Sequence, residues 1–398
     1  MDVGDVIEYT LEKATEIPWD RDSMEAVVPP SHGNLNYVYR VWDGKGHSIY
    51  IKQAGSEARI SKDIKPSRDR NRLESEILML EDQYAPGMVP HVYFFDTVMC
   101  ACGMEDCSDY AVMRDAMLKH ETFPRFAEDV STFMVNTLLL SSDVVMDHKE
   151  KKELVKKFIS PDLCDITEKL VLMEPYMDLY DRNNVYGPNR DFVKKELYED
   201  EALHLEVSKL KFRFMTDAQA LLHGDLHTGS IFIRQDSTKI FDCEFGTYAP
   251  MGYDVGNVVA NLIFAYDNGL STDDGPFCDW CLKTIEETVD LFIEKFGRKY
   301  DEAVTEPMAK VKGFKEWYFD GILKDTAGYA GTELHRRTVG MANVVDVTTI
   351  QDEKKRLLAE RINILAGKEY IMNQGAFRTG ADYVAAVLRA KEAAQKTL

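Results

Sequence analysis

The stretch L-H-G-D-L-H-T-G-S at 222–230, followed at 240–244 by I-F-D-C-E, decides how this chain is read. An apolar run through Phe214, Met215, Ala218, Leu221 and Leu222 leads into His223-Gly224-Asp225-Leu226-His227. Two short strand signals follow, Ser230–Arg234 and Lys239–Phe241, closed by Asp242-Cys243-Glu244. The hairpin they predict folds Asp242 and Glu244, which lie 17 and 19 residues beyond Asp225, back beside it. Phosphoryl transfer asks for this pattern. The protein must align a hydroxyl with the γ-phosphorus and hold a divalent ion on carboxylate oxygens. Asp225 would orient the hydroxyl, and Asp242 and Glu244 would hold Mg²⁺. Taken alone, H-G-D is a turn with a helix-capping Asp and D-C-E is a strand end. The spacing and the strand signals together favour chemistry.

Composition sets the frame. A chain of 398 residues exceeds one ordinary core and predicts two lobes. Its 45% hydrophobic and 11% aromatic content suits a well-packed globular protein. A formal charge of −20, with no long basic run, argues against a nucleic-acid partner. An acidic protein that binds ATP must gather its useful Lys and Arg locally. No stretch approaches the length of a membrane span, and the acidic segment Met1–Glu12 does not read as a signal peptide. Seven cysteines, an odd number, suit a reducing cytoplasm. Cys100-x-Cys102-x₄-Cys107 and Cys278-x-x-Cys281 read as free thiols in preference to a metal or redox site.

The fold class expected is α+β, in two lobes of protein-kinase type. A small β-rich lobe spans 1–106 and a large, mostly helical lobe spans 107–398. In the first, a short helix (Asp2–Glu12) precedes paired strands Asn36–Trp42 and His47–Gln53, joined by the turn Asp43-Gly44-Lys45-Gly46. Ile49, Ile51 and Gln53 share one face of the second strand, and Tyr50 and Lys52 share the other. A polar stretch, Ser56–Arg70, leads to a helix at Arg72–Gln83, and strands are expected at Val92–Phe95 and Val98–Met104. Beyond 106 the pattern is helical apart from the hairpin. Helices are expected at Phe123–Ser141, Lys149–Phe158, Arg190–Leu197, Ala202–Ala220, Val255–Ala265, Asp279–Phe296, Met308–Ala327, Lys354–Ala366 and Ala381–Gln395.

Several side chains fit around the central stretch. Gly33-Asn34-Leu35-Asn36 lies where a phosphate-covering loop belongs, with Asn36 able to cap phosphates, although G-N alone is a turn dipeptide. Lys52 stands where a kinase places its phosphate-contacting lysine, and Glu74, 22 residues on, is positioned to pair with it; Glu76 is the weaker candidate. Met104-Glu105-Asp106 ends the last strand of the first lobe, where backbone groups of a hinge would grip adenine. Asp254 is either a helix cap or a support for the catalytic-loop backbone. His223 and His227 suit scaffolding better than general-base work. Arg336 and Arg337, in G-T-E-L-H-R-R-T-V-G at 331–340, sit among small and apolar residues that permit a buried guanidinium near transferred phosphate or a sugar hydroxyl.

Together these residues resemble the S-methyl-5-thioribose kinase family, relatives of choline kinases and aminoglycoside phosphotransferases. The resemblance rests on G-N-L-N-Y-V (33–38), I-K-Q-A (51–54), M-E-D (104–106), P-D-L-C-D-I-T-E (161–168), H-G-D-L-H-T-G-S-I-F (223–232), D-C-E-F (242–245), P-M-G-Y-D-V-G (250–256) and H-R-R-T-V-G (335–340). It implies ATP and Mg²⁺, phosphorylation of the 1-hydroxyl of 5-methylthioribose in methionine salvage, and a cytoplasmic homodimer. By position it implies Asp225 as catalytic acid, with Asn36, Lys52, Glu74, Met104–Asp106 and Asp242-Cys243-Glu244 at the nucleotide. Asp242 and Glu244 would hold metal, and Arg336 and Arg337 would serve substrate and transition state. Ser230 stands where many kinases carry a metal-binding Asn. The lead V-V-P-P-S-H at 27–32 departs from the family's shorter acidic one. A related 5-substituted ribose such as 5-deoxyribose, or a choline- or aminoglycoside-like acceptor, is the alternative substrate. A catalytically inactive binding protein is the alternative class.

Overall fold

The computed structural model of the chain describes residues 1–29, 36–54 and 69–398. Gly33–Leu35, the side chain of Asn36 and most of the polar stretch after Ala54 therefore lie outside the described residues. The chain forms two compact units. One comprises Met1–Ala111 with Lys239–Glu244, and the other comprises Val112–Thr238 with Phe245–Leu398.

In the first unit, helix α1 (Val3–Lys13) is closed at its start by a reciprocal capping box between Asp2 and Asp5. Strands β1 (Glu25–Val27), β2 (Asn36–Trp42) and β3 (Ser48–Ala54) lead to helix α2 (Asp69–Tyr84), followed by β4 (Val92–Asp96) and β5 (Ala101–Glu105). The five strands form one antiparallel sheet in the order β1-β2-β3-β5-β4. Period-2 alternation sends Ile49 and Ile51 into a core with Tyr39, Val41, Ala101 and Val6 of α1, so Lys52 leaves by the opposite face.

The strand expected at Val98–Met104 begins only at Ala101. Asp96 Oδ1 accepts the backbone N–H groups of Val98 and Met99 at 2.8 and 3.0 Å, and Cys100 adopts φ +47°. This closes a turn that leaves Val98 86% exposed, so local side-chain bonding overrides an apolar strand signal.

The second unit is mostly helical. Its main helices are α3 (Phe126–Leu140), α4 (Glu201–Thr216), α5 (Gly252–Ser271), α6 (Gly275–Ala303), α7 (Phe314–Val339), α8 (Glu353–Met372) and α9 (Gly380–Gln395). A two-residue strand, β6 (Ala220–Leu221), precedes the loop at 222–230. The hairpin strands β7 (Ile231–Ile233) and β8 (Thr238–Ile240) follow, then β9 (Tyr248–Ala249). β9 pairs antiparallel with β6, and the ribbon fixes the point from which the loop departs. The expected helix Met308–Ala327 is broken: a 3₁₀ turn at Pro307–Lys310 ends before Gly313, whose φ of +89° starts α7 anew, and α7 then runs on to carry the arginine pair. The sequence expectation of Ala202–Ala220 as one helix likewise stops at Thr216.

Helix α5 is buried on all sides from Gly252 to Gly269. It meets α7 at almost backbone contact. A Cβ on Gly256 would lie 2.5 Å from Ala330 N and 2.7 Å from Thr326 O. Gly256→Ala gains roughly 1 kcal/mol of helix propensity, but the added methyl meets main chain that cannot swing aside, an overpacking cost of about 3 kcal/mol. The net loss of about 2 kcal/mol should lower Tm by roughly 2–3 °C in a thermal melt of a chain this size.

Candidate active site

In the first unit, Lys52 Nζ lies 2.7 Å from each carboxylate oxygen of Glu74 and 3.1 Å from Asp242 Oδ1. The register puts Lys52 opposite Val38 on one side and Cys102 on the other. Helix α2, with Leu73 and Ile77 buried, turns Glu74 inward toward the lysine. Glu76 instead takes Arg72 Nη1 at 2.6 Å. Burial alone would lower the pKa of Lys52, but Glu74, Asp242 and Glu244 outweigh it and hold the ammonium above its ordinary range. Lys52 is thus a permanent cation in a carboxylate nest.

Asp242 sits in the left-handed region at φ +65°, which an aspartate tolerates better than most side chains and which re-aims the chain after β8. Cys243 beside it is buried, its thiol approaching Glu74 O at 3.5 Å. One carboxylate oxygen each from Glu74, Asp242 and Glu244 lies within 4.8 Å of the others. This all-oxygen, anionic donor set fits a hard divalent ion such as Mg²⁺. Since Glu74 is already matched by Lys52 through both oxygens, Asp242 and Glu244 are the pair best placed to hold it.

The hinge candidates behave differently. Glu105 Oε2 takes Lys239 Nζ at 2.7 Å and the backbone N–H of His91 at 3.1 Å. Asp106, one residue beyond β5, takes Arg40 Nε at 2.7 Å and Ser108 N at 2.9 Å. Both carboxylates are committed to the fold, so a base could be met at Met104–Asp106 only through the main chain.

In the second unit, the loop after β6 is built around Asp225. Leu222 N donates to Thr247 O at 2.9 Å. Gly224 adopts φ +84°, and a Cβ there would lie 2.2 Å from Phe245 O, so the position excludes any side chain. Buried Asp254, near the start of α5, accepts the backbone N–H groups of His223 and Gly224 at 2.7 and 3.1 Å. It therefore grips the loop backbone and does not merely cap its own helix. His223 is buried beneath the loop.

Asp225 itself is held at both oxygens. Arg336 Nη2 lies 2.6 Å from Oδ1, and His227 Nε2 lies 3.2 Å from Oδ2. Arg337 Nη2 is 3.6 Å from Oδ1. Burial pushes the carboxyl pKa up, but His227, Arg336 and Arg337 outweigh it and hold the group well below the usual carboxylate range. Asp225 is therefore an ionised acceptor and a weak base, able to take a hydrogen bond from a donor placed against it.

Sequence reasoning missed Glu333. This fully buried carboxylate takes Arg336 Nε in a short contact, Arg336 Nη2 at 3.3 Å and Arg337 Nε at 3.3 Å. Burial raises its pKa, yet Arg336 and Arg337 dominate and keep it lowered. The signal was available: Glu333 precedes the pair by three and four residues, the spacing at which helical side chains meet. Arg114 lies 114 residues from its loop partner Thr228, and no spacing in the sequence announces it. Its Nε donates to Thr228 Oγ1 at 3.2 Å and its Nη2 to Asn261 Oδ1 at 2.9 Å, bracing the loop from behind.

Against Asp225 and Arg336 opens a pocket whose wall includes Ile166, Leu170, Phe245 and Met341, with Thr167 and Tyr253 as polar members. An ionised acid and a guanidinium at one end of an apolar pocket can hold a polyol by its hydroxyls and bury an uncharged tail.

The family described as the phosphotransferase enzyme family matches residues 162–275, which include the Asp225 loop and both acids. Over 355 residues the chain is 36% identical to a protein named methylthioribose kinase from Bacillus pumilus, covering 89% of this chain and 88% of that one. A methylthioribose kinase from a Geobacillus strain is 37% identical over 344 residues, covering 86% and 84%. Among solved structures, choline kinase from Cryptosporidium parvum aligns over 100% of this chain and 97% of its own, with a TM-score of 0.50 at 12% identity. That likeness concerns the fold alone.

Proposed function

Because this chain belongs to the methylthioribose kinase family, we propose that it transfers the γ-phosphoryl group of ATP to the 1-hydroxyl of 5-methylthioribose, giving 5-methylthioribose 1-phosphate for methionine salvage. The observation that carries the reading is Asp225, ionised and clamped at both oxygens beside an apolar-walled pocket. A neutral sugar with an apolar 5-substituent suits that pocket. A substrate cation would have to be accommodated beside Arg336 and Arg337.

The roles follow from charge and position. Asp225 accepts the hydrogen bond of the 1-hydroxyl and points an oxygen lone pair toward phosphorus. Arg336 and Arg337, both hydrogen-bonded to Glu333, meet negative charge that grows on the transferred group. Lys52, held by Glu74, neutralises nucleotide phosphate oxygens, while Asn36, Cys243 and the main chain of Met104–Asp106 complete the nucleotide site. Mg²⁺ held by Asp242 and Glu244 would neutralise phosphate charge when bound. In-line transfer demands that the γ-phosphate reach the hydroxyl without water between them. The same reading makes the enzyme a cytoplasmic homodimer; no described helix is long and apolar enough to cross a membrane.

A coupled ADP-release assay across 5-methylthioribose, 5-deoxyribose, ribose, choline and homoserine tests the reading. We expect kcat/KM for 5-methylthioribose to exceed that for ribose by about 100-fold, the scale at which an apolar pocket discriminates by one or two buried heavy atoms. Preferred turnover of choline or homoserine would contradict it.

A further inference from the structure

Ser230 occupies the place where many kinases carry a metal-binding asparagine, and its hydroxyl has a different use here. Ser230 Oγ lies 3.1 Å from His227 Nδ1 and 3.1 Å from the backbone oxygen of Asp225. It has one hydrogen to give. The Asp225 carbonyl already accepts His227 N–H at 2.9 Å, so it loses nothing if the hydroxyl turns away.

The other ring nitrogen decides the direction. His227 Nε2 faces Asp225 Oδ2 at 3.2 Å. Were Nδ1 the protonated nitrogen of a neutral ring, the lone pair of Nε2 would point at a carboxylate oxygen, a repulsive contact in a buried place. Burial first, then the neighbouring Arg337 and Arg114, oppose a second proton on the ring and outweigh the pull of Asp225. The neutral ring must therefore carry its hydrogen on Nε2, and Nδ1 must accept.

We propose that Ser230 is a positioning residue that donates its hydroxyl hydrogen to His227 Nδ1, locking the Nε2–H tautomer that holds Oδ2 of Asp225. With Arg336 on Oδ1, the carboxylate is then pinned at both ends, and the lone pair left for the acceptor hydroxyl has one direction. This rests on the kinase reading of Asp225. It assigns Ser230 to the acceptor side of the reaction through two intermediaries, and it leaves metal binding to the acids.

The test combines kinetics with ¹⁵N-histidine NMR of the full-length protein, with the His227 signals identified by their absence in His227→Gln. In wild type we expect the Nε2–H tautomer. Ser230→Ala should shift His227 toward a tautomer mixture and lower kcat by roughly tenfold, the effect of one lost orienting hydrogen bond, with KM for ATP and the Mg²⁺ requirement unmoved. Ser230→Thr, which keeps the hydroxyl, should restore both tautomer and rate. A wild-type His227 protonated on Nδ1 would overturn the proposal even if Ser230→Ala failed to fold. So would a Ser230→Ala enzyme whose defect is a raised Mg²⁺ requirement with the tautomer unchanged. Absence of ADP release from wild type with 5-methylthioribose would instead strike the reading beneath it, since the ring signals are recorded without substrate.

Discussion

Asp225→Asn should lower kcat by about 1,000-fold while leaving ATP affinity nearly intact. The substitution is isosteric, and it keeps an oxygen that can face Arg336 or His227. On the proposed role, it removes the negative charge that would draw the acceptor hydroxyl's hydrogen and receive the proton as the O–P bond forms, a contribution typically of 10²–10⁴-fold. The Asp225 pKa is held low, so the wild-type carboxylate is ionised throughout the neutral range and no loss of rate near pH 6 should trace to it. Single-turnover rates and ATP titration on the variant check both halves. A variant with unchanged kcat would remove Asp225 from the chemistry.

Glu333→Gln should have the largest effect on both stability and rate of any change outside the substrate-contacting residues. The wild-type carboxylate is fully buried and serves two guanidinium groups that are themselves about 15% and 13% exposed. Glutamine fills the same volume, so no cavity opens, but two cations then share one nearby acid, Asp225. Breaking a buried ion pair at one partner costs about 3–5 kcal/mol; the residual exposure of the arginines argues for the lower figure. A loss of about 3 kcal/mol corresponds to a fall in Tm of roughly 4–5 °C in a chain of this size. Arg336 would also bind Asp225 more tightly, taking the oxygen the acceptor needs, and kcat should fall about 100-fold. A thermal melt together with steady-state kinetics checks this. An unchanged Tm would mean that Glu333 is not the counter-ion of the pair.

The parts of this protein that were legible in its sequence are those where chemistry requires fixed spacing. The H-G-D loop and the D-C-E turn are separated by a hairpin whose two strands form where alternation places them. The pairing of Lys52 with Glu74 was expected from the lysine–glutamate ion pair of kinases, and Nζ lies 2.7 Å from Glu74 Oε1. Asp254 could be read as a helix cap or as a loop support, and its two bonds to His223 and Gly224 favour the second. The small residues around the arginine pair announced close helix packing, which Gly331 and Gly367 realise: a Cβ on Gly331 would lie 2.4 Å from Gly367 O.

Other features were hidden because nonlocal or local bonding outweighs pattern. Val98 and Met99 look like strand, yet Asp96 captures their amides. The stretch from Met308 to Ala327 looks like one helix, but Gly313 resets the backbone. Glu333 resembles any polar helical residue until α5 packs against its own helix, α7, and buries it. The pocket wall joins Ile166 and Leu170 to Phe245 and Met341, residues far apart along the chain, and no periodicity links them.

The central claim is that the 1-hydroxyl of 5-methylthioribose receives phosphate from ATP. The most direct measurement is ³¹P NMR of the product formed by purified enzyme from ATP, Mg²⁺ and 5-methylthioribose. The account predicts one new phosphomonoester signal, coupled to the anomeric hydrogen, that grows in step with ADP. A product whose phosphorus couples to any other ring hydrogen, or ADP accumulating with inorganic phosphate alone, would contradict it.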